Sequence, residues 1–206
     1  FRYSDDTTTA YGTRGLKLTS KTIAMWHNLH VTFMPKPVYG IAGSGMHTNI
    51  SLFKNGSNAF YDPTNKHGLS QEALYFIGGL MRHAKGLAAI TNPLVNSYKR
   101  LTSGYEAPVY IAWSHRNRSP LIRVPIARED ATRIELRCPD PSCNPYLAFA
   151  VILSAGMDGI QRKIMPPDPV SENIYTMDES QLKKFGIESL PGDLKEALGE
   201  FKKDKV

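Results

Sequence analysis

Residues 132–138 alternate without a break: Arg133, Glu135 and Arg137 interleave with Ile134, Leu136 and Cys138. Period two puts the charged three on one face of a β-strand and the apolar three on the other. Such a strand needs a hydrophobic layer behind it and a polar space in front. A carboxylate between two guanidiniums on one sheet face suits a site that holds anions and a metal ion together.

The strand closes a wider basic stretch, residues 92–137, which carries Lys99 and seven arginines: Arg100, Arg116, Arg118, Arg123, Arg128, Arg133 and Arg137. Only Glu106, Glu129, Asp130 and Glu135 oppose them there. The arginines sit in strands and tight turns mixed with acids, rather than along one continuous face as in nucleic-acid binders. The formal charge of +6 is therefore read as serving a small polyanion. The chain has 206 residues, 41% hydrophobic and 21% charged, enough for one domain with a real core or one domain plus an extension. No apolar run approaches the roughly 20 residues a membrane helix needs, and no secretory signal opens the chain, so the cytoplasm is the expected compartment. The opening on Phe1-Arg2-Tyr3 and the close on a helix-like Phe201-Lys202-Lys203 read as cuts through a larger protein. Two cysteines, Cys138 and Cys143, are too few for a disulfide framework; Cys138 reads as a buried free thiol.

Along the chain, apolar spacing predicts a helix over 16–29 and a short strand over 31–34, stopped by Pro35-Lys36-Pro37. The glycine-rich turn 40–45 lacks both the Walker and the dinucleotide spacing; it reads as close backbone approach to a ligand. Residues 46–54 alternate again, with Met46, Thr48, Ile50 and Leu52 on one face and His47, Asn49, Ser51 and Phe53 on the other. Asn55-Gly56 predicts a hairpin turn. Ser70 caps a helix to about Ile90 in which His83 is structural. Strands are expected at 109–113 and 121–125, with Arg123 pointing away from Ile122 and Val124. Asn144-Pro145 starts a strongly apolar, buried helix over 146–164. Pro166, Pro167 and Pro169 form a stiff linker, Asp178 and Gln181 a capping box before a short helix ending at Gly186, and Pro191 starts a last helix.

Phe33-Met34-Pro35-Lys36-Pro37, Gly43-Ser44-Gly45-Met46-His47, Asn92-Pro93, Asn96-Ser97-Tyr98-Lys99-Arg100, Gly104-Tyr105-Glu106-Ala107-Pro108, Asn117-Arg118-Ser119, Arg133-Ile134-Glu135 and Asn144-Pro145-Tyr146 occur in this order. Together they resemble bacterial type I glutamine synthetase, closest to its Gram-positive branch, over the whole chain. The resemblance implies an α+β fold, a curved antiparallel sheet forming a partial barrel with helices outside. Residues 1–165 would be part of the catalytic domain and 166–206 a linker and helical extension. It implies ATP-dependent ligation of ammonium to the γ-carboxylate of L-glutamate through γ-glutamyl phosphate, with two divalent ions, Mg²⁺ or Mn²⁺, in a double hexameric ring. His47 and Glu135 would be metal ligands. Ala42, Gly43, Arg100, Glu106, Arg118 and Arg137 would meet glutamate. Asn49, Ile50, Ser51, Arg118, Arg123 and Arg133 would lie along ATP. Glu106 would close over the site as a flap and bind ammonium, and with Arg118 it would be catalytic.

Departures are specific. Ala42 stands where many members have Asn, Thr102-Ser103 replaces Val-Pro ahead of the flap, and the sequence around Tyr175 differs from that of the adenylylated branch. Tyr175 is expected to stay unmodified, with any control by glutamine feedback. The family's remaining metal-binding glutamates and its N-terminal domain have no counterpart in the chain, so the fragment alone is expected to be inactive. Two other readings compete: ligation of another amine, as in a γ-glutamyl-polyamine synthetase, and a non-catalytic interaction module that binds a regulator or nucleic acid through its +6 charge, the resemblance also permitting nitrogen-responsive transcription factors as partners in a second role.

Overall fold

The computed structural model describes residues 4–65, 67–105, 107–115, 117 and 119–205. Its centre is a mixed five-stranded sheet: β1 (Thr48–Ile50), β4 (Tyr110–Ser114), β5 (Pro120–Arg123), β6 (Ile134–Leu136) and β7 (Glu188–Ser189), ordered β1-β6-β5-β4-β7. A separate hairpin joins β2 (Phe53–Lys54) to β3 (Ser57–Asn58). Its turn residues Asn55 and Gly56 both have positive φ, 53° and 82°, the two-residue turn that Asn-Gly favours.

The expectation of a purely antiparallel sheet needs correction. β4 and β5 run parallel, with a register slip between Tyr110 and Trp113, while β1–β6, β5–β6 and β4–β7 are antiparallel. Residues 115–119 connect the parallel pair, far fewer than the dozen a crossover normally takes. Among the described residues the sheet is open, with β1 and β7 at its edges, and no closed barrel forms. Residues 31–34 alternate in burial as a strand would but pair with no strand among the described residues.

Helices cover one side. α1 (Asp6–Trp26) begins ten residues before the expected start, because Asp5 caps it by accepting from the Thr8 amide at 2.8 Å. It ends early, where Asn28 turns left-handed at φ 54°. Its apolar stripe is open to solvent: Leu16, Ile23 and Trp26 are 49%, 45% and 74% exposed. α2 (Gln71–Thr91) starts at Ser70 as expected, the hydroxyl accepting from the Ala73 amide. α3 (Val95–Arg100) follows it closely. α4 (Pro145–Arg162) is capped by Asn144 and stopped by left-handed Lys163. It is buried along one face only, Leu147 and Leu153 being exposed, which corrects the expectation of full burial. α5 (Glu179–Lys184) carries the Asp178–Gln181 capping box and ends before left-handed Gly186. α6 (Leu194–Lys203) starts three residues after Pro191, where Asp193 caps it.

α2 and α4 cross backbone to backbone. A Cβ on Gly159 would lie 2.2 Å from the Tyr75 carbonyl oxygen, and one on Gly79 2.2 Å from that of Ala155. Phe76, Ile77 and Leu80 of α2 share the core with Ile111, Leu121, Ile122, Ile134 and Leu136 of the sheet. His83 is structural, as read. It is buried with Nε2 3.0 Å from Asp158 and Nδ1 2.9 Å from Asp204, which pins the end of α6 to α2 and α4. The proline segment is docked on β4: the Trp113 indole donates to the Pro167 carbonyl at 2.6 Å and the Val170 amide to the Trp113 carbonyl at 2.9 Å.

Candidate functional site

β6 does what its alternation predicts. Ile134 and Leu136 are fully in the core, and Glu135 and Arg137 face the other way, 6% and 3% exposed. The antiparallel register sets Asn49 of β1 opposite Glu135, and β5 sets Arg123 opposite it from the other side. Three neighbouring strands therefore converge on one carboxylate. Arg123 Nε lies 2.6 Å from Glu135 Oε2, His47 Nδ1 lies 3.3 Å from Oε1, and Arg137 Nε lies 3.9 Å from Oε2. The Arg123 contact is a close ion pair without hydrogen-bond alignment. Burial pushes the Glu135 carboxyl up, but the His47 hydrogen bond and the charges of Arg123, His47 and Arg137 outweigh it and hold the group below its usual value.

The glycine-rich turn is pressed against the same corner. A Cβ on Gly43 would fall 2.2 Å from the Pro35 carbonyl oxygen; one on Gly45 would fall 2.5 Å from Arg100 Nη2 and 2.9 Å from the His47 ring. Glycine is required at 43, where the neighbour is backbone; at 45 a side chain would displace the Arg100 guanidinium and the His47 ring. Arg100, 3% exposed, runs under this turn from α3 and donates from Nη1 to the Cys138 carbonyl at 2.8 Å and from Nη2 to the Arg137 carbonyl at 3.1 Å. Arg133 is at the rim, its Nε donating to Asn49 Oδ1 at 3.1 Å.

A cleft of about 780 Å³ opens between the start of α1, β1 and α4, lined among others by Lys17, Ser44, His47, Asn49 and Phe149. It meets the charged face through His47 and Asn49, while Arg123, Glu135 and Arg137 do not line it.

The structure thus brings together His47, Glu135, Arg123, Arg137, Arg100 and Gly43, with Asn49 and Arg133 beside them. Ala42 is exposed on the turn and Ile50 is half-buried against the core. The Ser51 hydroxyl donates to the Thr132 carbonyl at 2.8 Å. Glu106 and Arg118 lie outside the described residues, as does Arg116. His47 and Glu135 supply one imidazole and one carboxylate side by side, a donor pair that fits Mg²⁺ or Mn²⁺. Among the described residues no third His, Cys, Asp or Glu joins them in a metal-sized group.

Sequence reasoning gave no site role to Lys36, which is buried and contacts the Tyr105 ring, and did not foresee that the Tyr175 hydroxyl donates to the Ala107 carbonyl at 2.5 Å. Between its flanking prolines Lys36 reads only as part of a segment that stops a helix.

Residues 1–206 match the family described as glutamine synthetase, catalytic domain. The chain is 61% identical to the curated glutamine synthetase of Thermotoga maritima over 206 residues, covering all of this chain and 47% of that protein. It is 59% identical to that of Thermus thermophilus, covering 46% of it, and 55% identical over 205 residues to that of the archaeon Methanosarcina mazei. A solved structure described as "GmaS/ADP complex-Conformation 1" superposes with a TM-score of 0.89 at 39% identity, covering 99% of this chain and 47% of that one. The chain spans about half the length of the curated relatives it matches. By its matched residues, its fold and its converging site, the chain belongs to the glutamine synthetase catalytic-domain family.

Proposed function

We propose that this chain is part of an enzyme that ligates ammonium to the γ-carboxylate of L-glutamate at the expense of ATP, in nitrogen assimilation. The observation that carries it is the convergence of Arg123, Arg137 and His47 on Glu135, beside Arg100 under the glycine-rich turn. A carboxylate becomes a good acyl donor once its oxygen is phosphorylated, and phosphoryl transfer is driven mainly by positioning and charge neutralisation. In this reading Arg123, Arg133 and Arg118 face the phosphates, with Asn49, Ile50 and Ser51 along the nucleotide. Arg100 and Arg137 hold glutamate with the backbone of Ala42 and Gly43. Glu106 attracts ammonium and shields the acyl phosphate from water. His47 and Glu135 would hold a divalent ion, which when bound neutralises phosphoryl charge. The ADP named with one solved relative supports a nucleotide here.

Residues 1–165 would then belong to the catalytic domain and 166–206 to an extension docked on it, in a cytoplasmic homo-oligomer built as a double hexameric ring. No helix among the described residues is long and apolar enough to cross a membrane. The engaged Tyr175 hydroxyl supports the view that this residue is not adenylylated. Relatives above 55% identity share one printed name, against 39% for the differently named solved structure, which favours ammonium over other amines. No observation of the fold supports a transcription-factor partner.

The test is calorimetric titration with Mn²⁺ and a non-hydrolysable ATP analogue, on this chain and on the full-length enzyme, each beside Glu135→Ala. Binding by the full-length enzyme that disappears in the variant is expected. A full-length protein that makes no glutamine from glutamate, ATP and ammonium would overturn the reading, and glutamine formation by the isolated chain would overturn its expected inactivity.

A further inference from the structure

We infer that Lys36 is a positioning residue that ties the glycine-rich turn to Tyr105, so that residues 39–45 and 101–105 are held in place as one unit. The inference rests on the function proposed above for its kinetic arm, and on geometry alone for its structural arm.

Lys36 is 6% exposed, yet no carboxylate lies within ion-pair distance of it among the described residues. Its charge meets two partners from different loops. Nζ donates to the Ile41 carbonyl at the tip of the glycine-rich turn and lies 3.8 Å from the centroid of the Tyr105 ring. The backbone beneath is clamped. The Lys36 amide donates to Asn96 Oδ1 at 2.8 Å, Asn96 Nδ2 donates back to the Lys36 carbonyl at 3.0 Å, and the Pro35 carbonyl accepts from the Ser44 amide at 2.8 Å. Asn96 sits one turn ahead of Arg100 on α3. The same short segment thus fixes the turn, the helix that carries Arg100 and the loop leading to Glu106.

The loops have little else to hold them. Tyr39 is 96% and Ile41 55% exposed, and Thr102, Ser103 and Gly104 are exposed, with Gly104 at φ +91° and open space around it. A buried ammonium is costly unless its partners stay in place. A carbonyl and an aromatic face serve only while both loops cover it. Opening either loop lets water reach Nζ and weakens the hold on the other. Further along the chain the Tyr175 hydroxyl donates to the Ala107 carbonyl, an anchor that does not involve Lys36.

The experiment is amide hydrogen exchange on the chain and steady-state kinetics on the full-length enzyme, for wild type, Lys36→Met, Lys36→Arg, Tyr105→Leu and Tyr105→Phe. Lys36→Met keeps the aliphatic stem and removes the charge. It is expected to speed exchange in both 39–45 and 101–105, and to raise KM for glutamate about tenfold more than KM for ATP. Lys36→Arg restores protection in part. Tyr105→Leu, which leaves the Lys36–Ile41 bond intact, still loosens both segments, while Tyr105→Phe loosens neither. Faster exchange in only one segment, or in neither, overturns the tie. Faster exchange in both with equal rises in the two KM values overturns the positioning role. A wild-type enzyme that makes no glutamine would sink the proposed function, and the exchange result would still decide the tie.

Discussion

Replacing Glu135 with Gln keeps the shape of the side chain and removes the charge on which three strands converge. Its magnitude follows from the exposure of the partners. Arg137 is 4% exposed, Arg123 27% and His47 35%. Breaking a buried ion pair costs about 3–5 kcal/mol because the surviving charge is left uncompensated. Partners more than a quarter exposed contribute only surface-like amounts, about 1 kcal/mol or less each. Because Arg137 is buried but 3.9 Å away, the expected loss is near the bottom of that range, about 3 kcal/mol. With a urea slope of about 2–3 kcal/mol/M, the unfolding midpoint should fall by about 1–1.5 M. The sign with pH is fixed as well. The carboxyl is held below its usual value, so its contribution is full above the ordinary carboxylate range and fades as pH falls through the folded value. Urea titrations of both proteins near neutral pH and at about pH 3 should therefore show a gap that narrows in acid. A midpoint shift below roughly 0.3 M at neutral pH would refute the claim that Glu135 balances buried positive charge.

Other expectations are independent of that cluster. Gly159→Ala forces a Cβ to 2.2 Å from the Tyr75 carbonyl oxygen and 2.6 Å from the Gly79 nitrogen. Overpacking should outweigh the helix-propensity gain and cost about 2 kcal/mol by chemical denaturation; equal or greater stability would mean that the helices separate freely. His83→Ala leaves the carboxylates of Asp158 and Asp204 facing the space that the ring filled. It should cost about 3 kcal/mol and speed proteolysis at the α6 end more than in the sheet. Burial, with the nearby charges of His67 and Arg128, pushes the His115 imidazole down to about 4. The unfolded chain then binds the extra proton first, so stability should fall between about pH 6.5 and 4. His115→Phe should flatten that slope in thermal melts across the window, and an unchanged slope would count against the burial.

What the sequence made legible was whatever one short segment decides for itself. Ser70, the Asn55-Gly56 pair and the Asp178–Gln181 box each act on amides within a few residues, and each appears where read. Arg133, Glu135 and Arg137 share a face because the period of a strand allows nothing else. Pairing is a different matter. The parallel β4–β5 ladder, the failure of 31–34 to find a partner and the addition of Glu188–Ser189 at the sheet edge depend on segments far apart in sequence. Local patterns do not carry that information. The start of α1 was missed because its first turns are polar, Asp6, Thr7, Thr8 and Thr9, so no apolar period announces them. The role of Lys36 was hidden because a lysine between prolines gives no local sign that an aromatic ring from residue 105 will cover it.

The docking of the proline segment on Trp113 has an optical consequence. The chain has two tryptophans: Trp113 is 2% exposed with its indole donating to Pro167, and Trp26 is 74% exposed at the end of α1. Their emission should separate into a blue component shielded from acrylamide and a red component quenched by it. Release of residues 166–170 from the sheet would then appear as a red shift of the shielded component alone, before any loss of helical ellipticity. The fold carries its own fluorescent gauge of whether residues 166–170 are seated on β4.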